Sequence, residues 1–141
     1  MWRVTKLAFG AYNKQFAPNR TSFDWLSVNE DNVDRYIADP LCGGNASVGL
    51  FREMLAGLAF IREEKNLAKM WKYTPVLFIS GEDDPVGDMG KGVEKAHACF
   101  KKAGVRDLRM KLYHGLRHEI LNENTKQYVY REVLDWLEAR I

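Results

Sequence analysis

The chain has 141 residues, 46% hydrophobic and 28% charged, which is enough for one globular domain with a core of its own. Its 21 basic and 19 acidic residues leave a net charge of +2 and are spread along the chain, so neither a nucleic acid nor an acidic partner is indicated. No apolar run approaches the ~20 residues that span a membrane, no signal-peptide core stands near Met1, and Cys42 and Cys99 are too few for a disulfide framework, so a cytoplasmic protein with reduced thiols is expected.

The first half reads as helical. Trp2, Leu7, Phe9, Tyr12 and Phe16 recur at roughly helical spacing before Pro18, which predicts a short helix over residues 2–16. An aromatic, irregular stretch through Phe23 and Trp25 leads to Ser27-Val28-Asn29-Glu30. That capping-box pattern predicts a helix to about Ile37, ended by Asp39-Pro40. Cys42-Gly43-Gly44-Asn45 reads as a flexible loop. From Ser47 to about Asn66, the spacing of Phe51, Met54, Leu55, Leu58 and Ile61 marks one face of a longer amphipathic helix.

After Thr74 the pattern changes. Val76-Leu77-Phe78-Ile79 has no polar alternation, which suits a strand over residues 75–80 covered on both faces. Gly81 frees the backbone to turn, and Glu82, Asp83 and Asp84 follow. Ligands and catalytic groups collect at the carboxyl ends of strands in open α/β sheets, so one of these acids is a candidate site residue. A solvated acidic turn is the alternative. Val93, Ala96, Phe100 and Ala103 then line a helix that Gly104 closes. Leu108, Met110 and Leu112 alternate with Arg109, Lys111 and Tyr113, predicting a second strand with a wetter face or an edge position. Beyond it lie His114 and His118. Asn124-Thr125-Lys126-Gln127 offers a cap, and Val129, Val133, Trp136 and Leu137 predict the buried stripe of a terminal helix.

A right-handed crossover makes the two strands parallel, so both end at one edge and acids 82–84 come near residues 114–118. A carboxylate bonded to one imidazole nitrogen fixes the tautomer and leaves the other nitrogen as a general base. The order of acid before histidine is that of α/β-hydrolase triads. Gly81-Glu82-Asp83-Asp84-Pro85-Val86 and the run from Tyr113 to Glu123 resemble the acid and histidine motifs of α/β-hydrolases of the lysophospholipase and monoglyceride lipase branch. Arg20-Thr21, Phe23 to Ser27 and Asp39 to Gly43 resemble that branch's cap. The resemblance covers essentially the whole chain. It implies the C-terminal part of an α/β-hydrolase fold: a helical cap segment over 1–70, then a βαβα core with parallel strands over 71–141. It maps the triad acid to Asp84 and the base to His118, and it implies an ester substrate with a hydrophobic acyl chain. No cofactor is implied.

The family's nucleophile motif, Gly-x-Ser-x-Gly, does not occur. Asn45-Ala46-Ser47-Val48-Gly49 lacks the first glycine and a preceding apolar strand, and Ser22, Ser27 and Ser80 have no elbow either. Cys42 lies in a loop between cap helices and makes a poor nucleophile. The expectation is a nucleophile outside this chain. Two parallel strands alone would leave a hydrophobic edge unpaired. That edge is expected to meet a missing N-terminal half or a second copy, and a catalytically inactive interaction module is the alternative. His118-Glu119-Ile120-Leu121-Asn122 begins like a zinc motif but has Asn122 at the second ligand position, and His114 and His118 lack a third ligand, so no metal is expected. Trp2, Phe9, Phe16, Phe23, Trp25, Phe51, Met54 and Phe60 are candidates for an acyl pocket by resemblance, with ordinary helix packing the alternative favoured for most of them individually.

Overall fold

The computed structural model describes residues 9–141, so Trp2 and Leu7 of the expected first helix lie outside the described residues. The apolar run becomes strand β1, Val76–Gly81, and the alternating run becomes β2, Leu108–Tyr113. They pair in parallel, from Val76 opposite Leu108 to Gly81 opposite Tyr113, so both strands stop at one level. The helices are α1 (Glu30–Ala38), α2 (Val48–Arg62), the single turn α3 (Glu64–Leu67), α4 (Lys91–Lys102) and α5 (Lys126–Glu138). Helix α4 makes the crossover between the strands. Its Phe100 ring meets Phe78 edge-on at 5.1 Å and His97 packs on Phe78 at 6.2 Å. Gly104, at φ +89°, ends it in the left-handed conformation that glycine tolerates best.

The core of this half gathers Tyr113, Leu116, Ile120 and Val129 with Ile79 packed against it. Val129 is fully buried, as the α5 stripe predicts, but Leu137 is exposed. The last turn of α5 is fastened by other means. Arg140 lies 4.1 Å over the Trp136 ring and bonds both Asp107 oxygens at 2.7 and 2.8 Å.

Three further expectations are corrected. In the described part of the 2–16 segment Phe9 is α-helical, but Tyr12–Phe16 form a 3-10 turn instead of continuing an α-helix. Asn13 explains this: its side chain donates to the Thr21 carbonyl at 2.7 Å and accepts the Trp25 N–H at 2.9 Å, so local side-chain bonding displaces the helical ladder. The capping box at Ser27 does not form either. Helix α1 does begin at Glu30, but its cap residue, Asn29, makes no side-chain cap bond, and the Ser27 hydroxyl donates to Glu123 at 2.7 Å. Lastly, β1 is not covered on both faces. Val76 to Ile79 are half-buried, and β1 pairs with β2 alone among the described residues.

The apolar face of α2 is left open in the same way. Phe51 is buried, while Met54, Leu55, Leu58 and Ile61 are exposed by 45 to 61%. Periodicity located this face correctly, and nothing among the described residues covers it.

A second 3-10 turn, Asp24–Leu26, is held by a buried carboxylate. Burial pushes the Asp24 carboxyl up, but the Thr21 hydroxyl, the Thr21 N–H and the Arg20 N–H outweigh it, and the net direction is below the usual carboxylate value. A depressed folded value stabilises above the unfolded value and is lost as pH falls through the folded one. Asp24→Asn is therefore expected to cost about 1–3 kcal/mol at neutral pH. Thermal melts at neutral pH and near about pH 3 should show that cost shrinking in acid.

Candidate active site

The site begins with a backbone contact. Gly81 closes β1 against the loop leaving β2, and a Cβ at this position would lie 2.2 Å from the carbonyl oxygens of both Leu116 and Arg117. Glycine alone permits that approach. The two loops are then laced together: Glu82 N–H donates to the Tyr113 carbonyl at 2.9 Å and Asp83 N–H to the Leu116 carbonyl at 3.0 Å.

This lacing fixes what meets what. Asp84 Oδ2 stands 3.0 Å from His118 Nδ1, and Asp84 Oδ1 accepts the Val86 N–H at 2.9 Å. Asp84 is buried. Its carbonyl accepts the Met89 N–H at 2.9 Å as the chain turns through left-handed Asp88, Met89 and Gly90 into α4. The Asp83 carboxylate makes no such pair. Glu82 forms a second one, with its Oε2 2.8 Å from His114 Nδ1. The His114 side chain is 96% exposed and that of His118 is 38% exposed, so water screens the first pair much more than the second.

Both imidazoles are pushed above the ordinary histidine value. For His118 the Asp84 hydrogen bond is the main cause, burial opposes it, and the charges of Asp84 and Glu119 add to it. For His114 the Glu82 hydrogen bond leads. With Nδ1 of His118 engaged, its Nε2 is free to take a proton when the ring is neutral.

The helical segment reaches over this pair. The Trp25 ring centre lies 5.3 Å from that of His118. Trp25 also meets Tyr12 at 5.3 Å and stacks on Phe9 at 6.4 Å, and Phe9 meets Phe51 of α2 at 5.9 Å. An aromatic wall thus runs from α2 to the imidazole. The histidine loop is tied to the same segment. Glu119 N–H donates to the Leu26 carbonyl at 2.8 Å, Asn32 Nδ2 donates to Glu119 at 2.6 Å, and the Arg117 guanidinium donates to the carbonyls of Asp24 and Ser27 while lying 4.0 Å over Phe16. The buried carboxylate of Glu123 joins Arg117 N–H to residues 27–29.

Sequence reasoning singled out Asp84, His118 and Trp25, which the structure places next to one another. It gave no role to Glu123 or Arg117, because their partners are about 90 residues away in the chain and no local pattern announces them. It also weighed His114 only as a metal ligand, whereas His114 and His118 take separate carboxylates. No cluster of three or more metal-ligating side chains occurs among the described residues, and no helix there is long and apolar enough to cross a membrane. Ser47 caps α2 by accepting the Leu50 N–H at 3.1 Å, and the buried Ser80 hydroxyl donates to the Gly81 carbonyl at 3.1 Å. Burial and the neighbouring Asp39 carboxylate push the Cys42 thiol up, away from the thiolate a nucleophile needs.

Parallel strands whose exits bring an acid to a histidine beneath a helical segment are the arrangement of part of an α/β-hydrolase. More particularly, residues 2–125 match the family described as serine aminopeptidase, S33, and the chain belongs to that family. Solved structures with the same fold include a thermostable carboxyl esterase from Bacillus coagulans, 22% identical, with a TM-score of 0.89 over 99% of this chain and 46% of that one. A lipase in an open form is 22% identical, with a TM-score of 0.80 over 93% of this chain and 42% of its own. A monoacylglycerol lipase of Paleococcus ferrophilus is 23% identical, with a TM-score of 0.58 over 93% of this chain and 50% of its own. The chain thus spans about half the length of each.

Proposed function

We propose that this chain supplies the acid and the base of a serine hydrolase that cleaves carboxylic esters of hydrophobic acyl groups, in the manner of lysophospholipases. The observation that carries this reading is the 3.0 Å bond between buried Asp84 and His118 at the shared exit of two parallel strands. In the complete enzyme a serine outside these residues attacks the ester carbonyl. His118 Nε2 takes the serine proton and passes it to the leaving alkoxide, while Asp84 orients the imidazole and stabilises its charged form. A preference for hydrophobic acyl chains is supported by the wall of Phe9, Trp25 and Phe51. In this reading residues 1–70 are the cap and 71–141 belong to the core. The two free thiols, Cys42 and Cys99, suit a reducing cytoplasm.

An external nucleophile is supported by the lack of Gly-x-Ser-x-Gly and by the capping role of Ser47. The unpaired edge of β1 is the place where the remaining strands would join, whether from the same polypeptide, another chain or a second copy. The open β1 edge and α2 face also favour a second reading, a non-catalytic module that uses them to bind a protein partner.

A fluorophosphonate probe tests the first reading. The 141-residue chain alone should stay unlabelled and hydrolyse p-nitrophenyl esters no faster than buffer, and a polypeptide with the complementary half should label at one serine outside it. Saturable hydrolysis by the isolated chain, abolished by Ser47→Ala, would sink it. A complete polypeptide that never labels would favour the binding module.

A further inference from the structure

Glu123 is fully buried, yet its carboxylate is held by neutral donors. Oε2 accepts the Ser27 hydroxyl at 2.7 Å and the Asn29 N–H at 3.2 Å. Oε1 accepts the Arg117 N–H at 3.1 Å, and the Val28 N–H lies 3.1 Å from both oxygens. With no cationic partner among the described residues, a buried carboxylate is tolerable only while such donors all stay in place, so the geometry of the whole cluster is set together.

Its location gives that rigidity a use. Arg117 N–H belongs to the Leu116–Arg117 peptide, one residue ahead of His118, and the peptide just after His118, through Glu119 N–H, is bound by the Leu26 carbonyl at 2.8 Å. Both flanks of His118 are thereby fastened to residues 26–29, whose neighbour Trp25 packs on the His118 ring. We propose that Glu123 is a positioning residue: its buried carboxylate locks the histidine loop to residues 27–29 and so sets the His118 imidazole against Asp84 and Trp25. Glu123 touches no reacting atom and acts through the backbone. The proposal rests on the reading of His118 as the base.

Two substitutions separate position from charge. Glu123→Gln is isosteric, but its NH2 group must face a backbone N–H on one side or the other, because both oxygens accept. Glu123→Asp keeps the charge and is one methylene too short to hold both segments. The readout is the imidazole nitrogen titration of His118 by NMR in the 141-residue chain, with His114 as the internal control. Both variants are expected to remove more than half of the elevation of the His118 midpoint and to leave that of His114 in place. A folded variant pair with unchanged His118 titration overturns the proposal, as does a shift in Glu123→Gln that is absent from Glu123→Asp, which would assign the effect to charge. If neither variant folds, Ser27→Ala, which keeps the carboxylate and withdraws one donor, carries the test, and an unmoved His118 there overturns the proposal. Asp84→Asn in the same chain should abolish the elevation. If it does not, the Asp84–His118 reading itself fails, whatever Glu123 does.

Discussion

On the proposed reading, His118→Ala in the complete polypeptide is expected to lower kcat by about 10⁶-fold with KM little changed, and Asp84→Asn by about 10⁴-fold. The two losses have different causes. If His118 is the base, as proposed, its removal leaves no group to accept the serine proton. Without the Asp84 carboxylate the imidazole remains, but Nδ1 loses the acceptor 3.0 Å away that selects the tautomer with Nε2 free. The pH dependence distinguishes them. Because the Asp84 hydrogen bond raises His118, the acid limb of kcat/KM should lie above the ordinary histidine value, where activity falls as the base is protonated. The residual activity of Asp84→Asn should show that limb moved to lower pH. The stability linkage has the opposite sense: a raised histidine contributes fully below its unfolded value, and the contribution is lost as pH rises through the folded one. Activity within tenfold of the parent in either variant would remove the residue from the proton-transfer role.

Gly81→Ala should be the most damaging of the Gly→Ala substitutions whose surroundings are described, with a loss of at least about 3 kcal/mol and collapse of the Asp84–His118 pair. The added carbon would meet two backbone carbonyls at 2.2 Å, and neither can yield without moving the whole histidine loop. Gly104→Ala is the matched comparison. Gly104 sits at φ +89° with nothing within 4 Å of the added carbon, so its cost is backbone strain alone, about 1–2 kcal/mol. Urea unfolding of both variants measures the difference. Equal destabilisation would mean that the strand exit relaxes and that the close approach does not organise the site.

Much of this arrangement was readable from residues because it depends on local patterns. An unbroken apolar run, an alternating run and glycines at their ends located both strands and α4. The handedness of crossovers then made the strands parallel, and their shared end level brought Asp84 to His118. Other features were hidden because they depend on distant partners or on what lies outside the chain. The box at Ser27 to Glu30 is a valid capping pattern, but a buried carboxylate 96 residues later takes the serine hydroxyl, and long-range burial outweighs a local cap. Asn13 likewise diverts its segment from helix to 3-10 turn through bonds to Thr21 and Trp25. The spacing of Met54, Leu55, Leu58 and Ile61 marks an apolar face correctly, but periodicity never says what covers it.

The ties between residues 24–32 and 117–123 also constrain mechanics. Residues 24–32 are bolted to the histidine loop through Leu26, Asn32 and Glu123, so the two segments are held as one unit. In the proposed reading of residues 1–70 as a cap, the 24–32 stretch therefore travels with His118 and serves as a fixed bracket of the base.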